Sequence, residues 1–587
     1  MDGFYGRILK VDLDNKTYKM EKVGEEIYKK YLGGKGLASY LLYELNPPGV
    51  DPLAPENCLI FATGPIAGST IWGSCRYGVF TKSPQTGFYA ESYSGGRVPE
   101  AIDSTGFDAI VLQGKSETPT VLAIHPEGVE FHDGTDLWGK STYEAEDAIL
   151  EKFSRSDKQF GKPGATVIGP AAENLVCFGV IKNDHWRSCG RTGVGTVMGS
   201  KKVKGIIFQG DRKRKVHDEE AVKKISKAIA EEGKDNPGVK AYKSMGTSQM
   251  VKVLNNANAF PTRYWTDGKY EDWEKISADT FHKNCEVKPH ACLKCFMACG
   301  RMTKILNGRH AGLQLEGPEY ETIYAFGGLC LIDSIEEIAY LNDICDMLGM
   351  DTISAGNLCG FAIEAARRGK VDYKIDYGDV DAIAELLKMI GAREGIGDTL
   401  ANGIKFAAKE WGLEDIAVHV KGMEPAGYDP RALKGMGLAY ATSDRGACHL
   451  RATFYKPELA GMISPDQIEG KAELFLDFED RLTIFDTLVF CRFYRDLYLW
   501  ETLGDVVQAT TGLSGEKEAL RKQASDIATL IRRFNLREGL KPEDDRLPKA
   551  FYKKFEHSDH VLKEEDLEAM LKDYYILHGW DENGQPA

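Results

Sequence analysis

The sequence predicts an α+β protein: a β-rich N-terminal domain over residues 1–210, then two mainly α-helical domains over 211–412 and 413–587. Three observations predict it. Short alternating or apolar segments fill the first third (FYGRILKVDLD, CLIFATGP, YGVFTKS, DAIVLQG, TVLAIHPEGVEFH, ATVIGP, VCFGVIKND and KGIIFQG), separated by Gly, Pro, Asn and Asp. After the basic stretch Arg212–Lys215 the period changes to a helical one, in HDEEAVKKISKAIAEEG, SIEEIAYLNDICDMLGM, NLCGFAIEAARRG, DAIAELLKMIGAREG, ALRKQASDIATLIRRFNLREG and EEDLEAMLKDYYILHGW. A second seam falls near Trp411–Asp415, before AVHVKGMEPAGYDPR. Finally, 587 residues suit two to four domains with room for an internal cofactor.

Composition narrows the function. Lys and Arg number 74 against 88 Asp and Glu, a net charge of −14, which argues against a general nucleic-acid binder. No apolar run approaches the ~18 residues of a membrane span. The first thirty residues carry charges throughout, with neither an apolar core nor a twin arginine, so the chain is expected in the cytoplasm. Glycine is abundant at 62 residues, with no collagen-like or low-complexity period to absorb it. The 13 cysteines, an odd count in a cytosolic chain, make a poor disulfide framework and point to thiolate ligation.

Cys292-Leu-Lys-Cys295-Phe-Met-Ala-Cys299 carries the strongest local signal. Zinc sites use CxxC pairs with a distant second pair or His, and bacterial ferredoxins use CxxCxxCxxxCP. Three thiolates at gaps of two and three can converge on an iron–sulfur cluster that takes a fourth ligand from elsewhere; a zinc knuckle or buried thiols are the alternatives. Cys491 is a candidate fourth, at the end of Asp486…Cys491, which loosely repeats Asp346…Asp351. Cys285 is the next. Trp186–Gly195, with Arg187 and Arg191, joins Ser92–Arg97 and Cys75-Arg76 as glycine-rich or basic segments that could together hold a large anionic cofactor. Glu321 and His449 are candidate acid–base groups, or else a helix-terminal carboxylate and a core histidine. Between Cys285 and Lys304 the cations Lys288, Lys294, Arg301 and Lys304 face one acid, Glu286. That surplus could steer an acidic electron carrier; the alternative is that these side chains are simply solvated or meet cofactor phosphates.

In order along almost the whole chain, GRxxxVxL, SxGGR, GRTGVGTVMGSKKVKGI, CxxCxxxC, EGPEYE, DxLGxDT, YDPRALKGMGLAYATSDRGACHLR, Asp486…Cys491, LPKAFY and LHGW resemble the tungsten-dependent aldehyde:ferredoxin oxidoreductase family. The resemblance implies a β-sheet base domain cradling two molybdopterins whose dithiolenes hold tungsten, with two helical domains above. It implies cofactor contacts from Arg76, Tyr93, Gly95, Arg187, Ser188 and Gly190 in the base. From the helical domains it implies Asp346, Met350, Asp351, Arg445, Arg451, Cys491 and Arg492. Cys292, Cys295, Cys299 and Cys491 would bind a [4Fe–4S] cluster. Mg2+ would bridge the pterin phosphates through the backbone carbonyls of Tyr93 and Ser188, and Glu321 and His449 fall on the acid–base and substrate-orienting positions.

Some positions depart from the family pattern. Tyr93 and Ser188 replace Asn and Ala, Val489 replaces Gly, and Tyr340 and Asp343 stand where some dimeric members carry an iron-binding ExxH, implying that this iron is absent. The implied activity is oxidation of an aldehyde with water to a carboxylate. Two electrons would pass through the cluster to ferredoxin or an iron–sulfur partner subunit, in a homodimer or hetero-oligomer. Alternatives are low-potential reduction of an acid or aryl thioester on the same scaffold, and a non-catalytic electron-transfer subunit.

Overall fold

The computed structural model describes residues 1–156 and 159–586. Two compact units emerge. The first is built from Met1–Lys240, Ala291–Met297 and Asp480–Gly539, the second from Ala241–His290, Ala298–Glu479 and Leu540–Ala587. The first unit draws on chain from both sides of both seams read from sequence, and the second unit runs across the later seam near Trp411–Asp415.

In the first unit, strands β1 (Arg7–Asp12), β2 (Thr17–Lys22), β3 (Leu59–Ala62), β4 (Tyr77–Lys82), β5 (Tyr89–Ser94) and β6 (Ala109–Gln113) form a sheet in the order β2-β1-β6-β3-β4-β5. Strands β7 (Thr120–His125), β8 (Gly128–Asp133), β9 (Gly164–Val167), β10 (Ile181–Asn183), β11 (Arg187–Cys189) and β12 (Val203–Phe208) form a second, β11-β10-β9-β12-β7-β8. The α+β class expected from sequence holds.

Strand alternation explains how the two sheets share a core. Leu122 and Ile124 of β7 and Ile206 and Phe208 of β12 join Leu9, Val11, Phe61, Val79 and Ile110 of the first sheet in one apolar cluster. Their neighbours Val121, Ala123 and Ile207 point the other way, onto Ala145 and Ile149 of the helix Thr142–Phe153. A period of two thus gives the second sheet two buried faces. The helices Glu219–Asp235, Trp500–Thr511 and Lys517–Arg537 complete this unit.

The basic stretch read as a seam is fastened to the sheets. Arg214, almost fully buried, pairs with Asp108 at 2.5 Å and Asp103 at 2.7 Å, and donates to the Gly3 carbonyl and Thr63 Oγ1, each at 3.0 Å. Removing the guanidinium leaves two carboxylates in a dry site. Arg214→Ala is expected to cost about 3–5 kcal/mol, read as a lower urea midpoint.

The second unit is mainly helical, with Ile335–Leu348, Thr352–Arg367, Val380–Ala392, Lys434–Thr442 and Glu564–Leu577 among its longer elements. A small antiparallel sheet, β13 (Cys285–His290), β14 (Gly300–Ile305) and β15 (Gln314–Glu316), precedes them. Among the described residues of the chain no helix is long and apolar enough to cross a membrane.

Candidate cofactor and active-site residues

In the first unit, the segment 71–76 brings distant cysteines together. Gly73, at φ 90°, donates its N–H to the Lys294 carbonyl and accepts from the Cys491 N–H, both at 2.9 Å. Tyr494 braces the junction: its hydroxyl accepts from Phe296 N at 2.9 Å, and its ring sits where a Cβ on Gly73 would go. Trp72, Phe296 and Tyr494 pack as edge-on rings at 5.3 and 5.0 Å. The result is a thiol group. Cys75 sits beside Cys292: its carbonyl oxygen and Cys292 Sγ border the same space at Gly95. Arg76 Nη2 lies 3.5 Å from Cys491 Sγ.

Cys491 reaches this place through a helix cap. In Asp346…Asp351, Gly349 takes φ 75° and Met350 N–H bonds back to the Cys345 carbonyl at 2.9 Å. In Asp486…Cys491, Val489 takes φ 62° and Phe490 N–H bonds back to the Phe485 carbonyl at 2.9 Å. This is the same left-handed helix ending, so the loose sequence repeat is a structural one. Val489 pays for its conformation, ~1–3 kcal/mol for a non-glycine residue in that region; complete burial of its side chain offsets this by a similar amount. Behind the cap, backbone meets backbone. A Cβ on Gly34 would lie 2.4 Å from the Asp486 carbonyl oxygen, and one on Gly64 2.5 Å from that of Leu488.

Electrostatics favour the thiolate form at two of these sulfurs. The hydrogen bond from Cys75 and the charges of Arg187 and Arg76 outweigh burial at Cys292 and bring its thiol down to about 6. The Cys75 hydrogen bond and Arg76 likewise hold Cys491 well below the usual thiol range. Such a donor set fits an iron–sulfur cluster, whose ligands are thiolates. Cys299 is buried just ahead of β14, near the start of the segment Ala298–Glu479 of the second unit. Among the described residues no group of three or more His, Cys, Asp or Glu is arranged around a single metal ion.

Gly95 closes the group. A Cβ there would stand 2.8 Å from Cys292 Sγ and 3.3 Å from both Arg76 Nη1 and the Cys75 carbonyl oxygen. Gly95→Ala is expected to push Cys292 aside, at about 1–3 kcal/mol for overpacking. Iron content of the purified variant should fall while its circular dichroism stays that of the parent.

The remaining base residues sit on neighbouring strand ends. Tyr93 on β5 donates to Glu91 Oε2 at 2.7 Å, and buried Glu91 pairs with buried Lys35 at 3.2 Å. Asn183 ties three strands together, donating to the Gly95 carbonyl at 2.9 Å and accepting from Ser94 Oγ and Tyr77 Oη. The β10–β11 hairpin presents Arg187 and Ser188, with Gly190 just beyond. Its turn is capped by Glu146, which accepts from Asp184 N and His185 N at 2.6 and 2.7 Å. Trp186 Nε1, next to Arg187, is buried with no hydrogen-bond partner. That donor beside an arginine fits an anionic group such as a pterin phosphate. Arg492 is held by Asp486 at 2.5 Å.

The second unit contains the acid–base candidates. Glu321 and His449 meet, Oε1 to Nε2 at 3.4 Å, and Glu321 Oε2 accepts from Gly427 N at 3.0 Å. The loop that supplies Gly427 is held by three tyrosines. Tyr324 Oη donates to the Pro425 carbonyl at 2.5 Å, Tyr440 Oη to that of Ala426 at 2.9 Å, and Tyr320 Oη to that of Gly427. Tyr428 stacks on Tyr455 at 4.1 Å and on His449 at 5.5 Å. This aromatic brace carries no periodic sequence signal and was missed by motif reading.

Arg445 and Arg451 flank Cys448. Burial raises that thiol's pKa, yet the two guanidinium charges hold it down to about 7, with Arg445 Nη2 at 2.9 Å from the sulfur. Asp346 accepts from Asn342 Nδ2 at 2.8 Å. Asp351 caps the next helix, accepting from Ile353 N and Ser354 Oγ; neighbouring Met350 is buried.

The cationic patch expected around the cysteines is reduced. Arg301 is buried, donating to the carbonyls of Lys243 and Ser244 at 3.0 and 2.8 Å. Lys288 is paired with Glu286 at 2.5 Å and Lys294 with Glu100 at 3.7 Å. Arg301 therefore serves the fold, because a buried guanidinium must spend its donors on carbonyls.

Comparison with known proteins gives the class first: the chain is an oxidoreductase. The family models "Aldehyde ferredoxin oxidoreductase, N-terminal domain" and "Aldehyde ferredoxin oxidoreductase, domains 2 & 3" match residues 8–210 and 224–587. The chain belongs to the aldehyde ferredoxin oxidoreductase family. It is 34% identical over 605 residues to the tungsten-containing aldehyde ferredoxin oxidoreductases of Thermococcus kodakarensis and Pyrococcus furiosus, covering 100% of this chain and 98% of each relative. It is 29% identical over 629 residues to the P. furiosus "Aliphatic sulfonate oxidoreductase, WOR-like subunit", covering 100% and 96%. The fold matches the BamBC active-site complex of benzoyl coenzyme A reductase with a TM-score of 0.86 at 24% identity, over 100% of this chain and 96% of that one.

Proposed function

We propose that this protein is a tungsten–bispterin oxidoreductase that oxidises aldehydes with water to carboxylates and passes two electrons through a [4Fe–4S] cluster to ferredoxin or a ferredoxin-like subunit. The observation that carries the reading is the Glu321–His449 pair, 3.4 Å apart, in a chain 34% identical to tungsten-containing aldehyde ferredoxin oxidoreductases. Cys292, Cys295, Cys299 and Cys491 would hold the cluster. Arg76, Arg187, Arg445, Arg451 and Arg492 would meet pterin phosphates and sulfurs, with the backbone at Gly95 and Gly190 allowing close approach. Asp346, Met350 and Asp351 would lie along a pterin ring, and the Tyr93 and Ser188 carbonyls would ligate Mg2+.

When bound, the tungsten–pterin group supplies a two-electron acceptor. The chain supplies proton handling. Glu321 Oε1 takes a proton from the water that adds to the aldehyde carbon, and His449 Nε2 orients the carbonyl oxygen beside it. Glu321 Oε2 stays fixed by Gly427 N–H, so the proton goes to the other oxygen. Overall, RCHO + H2O gives RCOO⁻, three protons and two electrons.

The test is an aldehyde panel with a viologen acceptor, combined with metal and pterin analysis of the purified protein. Aldehyde-dependent dye reduction by protein containing tungsten and pterin is expected. Turnover of acids, thioesters or sulfonates without aldehydes overturns the reaction assignment; iron without pterin makes the chain an electron-transfer subunit.

A further inference from the structure

The turn between β10 and β11 has a backbone that glycine usually supplies. Asp184 and His185 take left-handed φ angles of 49° and 59°, side by side. Residues with a side chain are strained in that region, so the turn needs support from outside. Glu146 supplies it. Buried on the helix Thr142–Phe153, it accepts from both N–H groups, Oε1 from Asp184 at 2.6 Å and Oε2 from His185 at 2.7 Å. Tyr143 and Asp147 of the same helix add a ring contact with His185 at 5.2 Å and a bond to its Nε2 at 2.7 Å. The turn in its place reaches the other glycine-rich segment of this unit. Asp184 Oδ2 accepts from Arg97 N at 2.8 Å and Asn183 Nδ2 at 3.0 Å, and Asn183 Nδ2 also donates to the Gly95 carbonyl at 2.9 Å. Gly96, at φ 96°, makes room for that carboxylate, since a Cβ there would stand 2.0 Å from Asp184 Oδ2. Past the turn the chain runs at once into Arg187 and Ser188 of β11.

We propose that Glu146 is a positioning residue for the pterin cradle: by holding Asp184 and His185 in their left-handed form, it fixes the Gly95–Arg97 segment relative to Arg187–Gly190. The proposal rests on the bispterin reading above. Glu146 acts through main-chain N–H groups, with one carboxylate oxygen for each. Bonds from an N–H to a carboxylate are the strong kind, and a buried donor that loses its acceptor is costly to leave unpaired. Without the carboxylate the two residues relax towards right-handed φ. The Asp184 side chain is then aimed elsewhere, Arg97 N loses its acceptor, and the strand end that carries Arg187 moves with the turn. A large anionic ligand must meet both segments at once. Its affinity therefore falls when their spacing is no longer set in advance.

The experiment compares the parent with Glu146→Ala, Glu146→Gln and the double variant Glu146→Ala/His185→Gly. It reads amide hydrogen exchange along the chain and the tungsten and pterin contents of each purified protein. In Glu146→Ala, exchange over residues 184–188 is expected to quicken about tenfold or more, the worth of one hydrogen bond to a charged group. Strands β7 and β12 should exchange as in the parent, and pterin content should fall severalfold. Glu146→Gln keeps the shape and one acceptor oxygen, so it should fall between the two, and it guards against an alanine variant that does not fold. Glycine at 185 relieves the left-handed strain, so the double variant should regain at least half of the lost pterin. Loss of a merely structural side chain would not be repaired at that position. Full pterin content in both single variants overturns the proposal. Loosening spread evenly over β7 and β12 overturns it too, as does a pterin loss that the double variant leaves unchanged. A parent protein without pterin sinks the bispterin reading and takes this proposal with it, a result seen before any substitution and so distinct from a failure at Glu146.

Discussion

Glu321→Gln is expected to lower aldehyde turnover by about 10²–10⁴-fold, the usual contribution of a positioned general base, while the protein keeps its tungsten, pterin and iron. Glutamine has the same shape and retains an acceptor for Gly427 N–H, so the loop contact at 3.0 Å survives. What it cannot do is take a proton at physiological pH. The loss should therefore appear in kcat, with less change in KM, since an interaction used only in the transition state is removed. His449→Asn should lose as much or less. Its imidazole faces Glu321 at 3.4 Å and is stacked on Tyr428, which keeps the site's shape when the ring is truncated. Near-normal turnover in Glu321→Gln with full cofactor content would remove this residue from the mechanism. Pre-steady-state reduction of the holoenzyme by aldehyde, without external acceptor, is the cleanest readout.

Cys491→Ala is expected to cost most of the cluster iron and, with it, ferredoxin-linked activity. The main-chain bond from Cys491 N to the Gly73 carbonyl does not involve the sulfur, nor does the helix cap before it. The variant should therefore fold, with stability within about 1–2 kcal/mol for so small a deletion. Iron analysis and the low-temperature resonance spectrum give the result. Full iron with an unchanged spectrum would strike Cys491 from the ligand set. Cys285, the next candidate by sequence, would then be replaced in the same way; it opens β13, where burial and Glu336 push its thiol up to about 12.

Some of this site was legible because it is local in sequence. Cys292, Cys295 and Cys299 lie within eight residues, so their spacing alone implies convergence. The Asp346 and Asp486 segments each end a helix, and a helix ending of this kind needs a left-handed residue whatever surrounds it. Val489 stands where the family pattern has Gly, and its φ of 62° shows that the backbone keeps the left-handed conformation even without glycine. Glycine-rich turns such as Ser94-Gly95-Gly96 also announce themselves, although only the structure shows that Gly95 makes room for a sulfur.

The sequence by itself determined the α+β class, the β-rich start and helical remainder, the local thiolate run and the family, because periodicity, turn residues and ordered motifs are properties of the chain. Tertiary structure decided which distant groups meet. It joined Gly73 to Lys294 and Cys491, buried Arg301 against backbone carbonyls, paired Lys294 with Glu100, and fixed the 425–427 loop beside Glu321 with three tyrosine hydroxyls. None of these contacts leaves a mark on local spacing. Each depends on loops closed by strand pairing and core packing elsewhere, whose cost grows only slowly with chain length, so separation in sequence does not forbid such a meeting or foretell it.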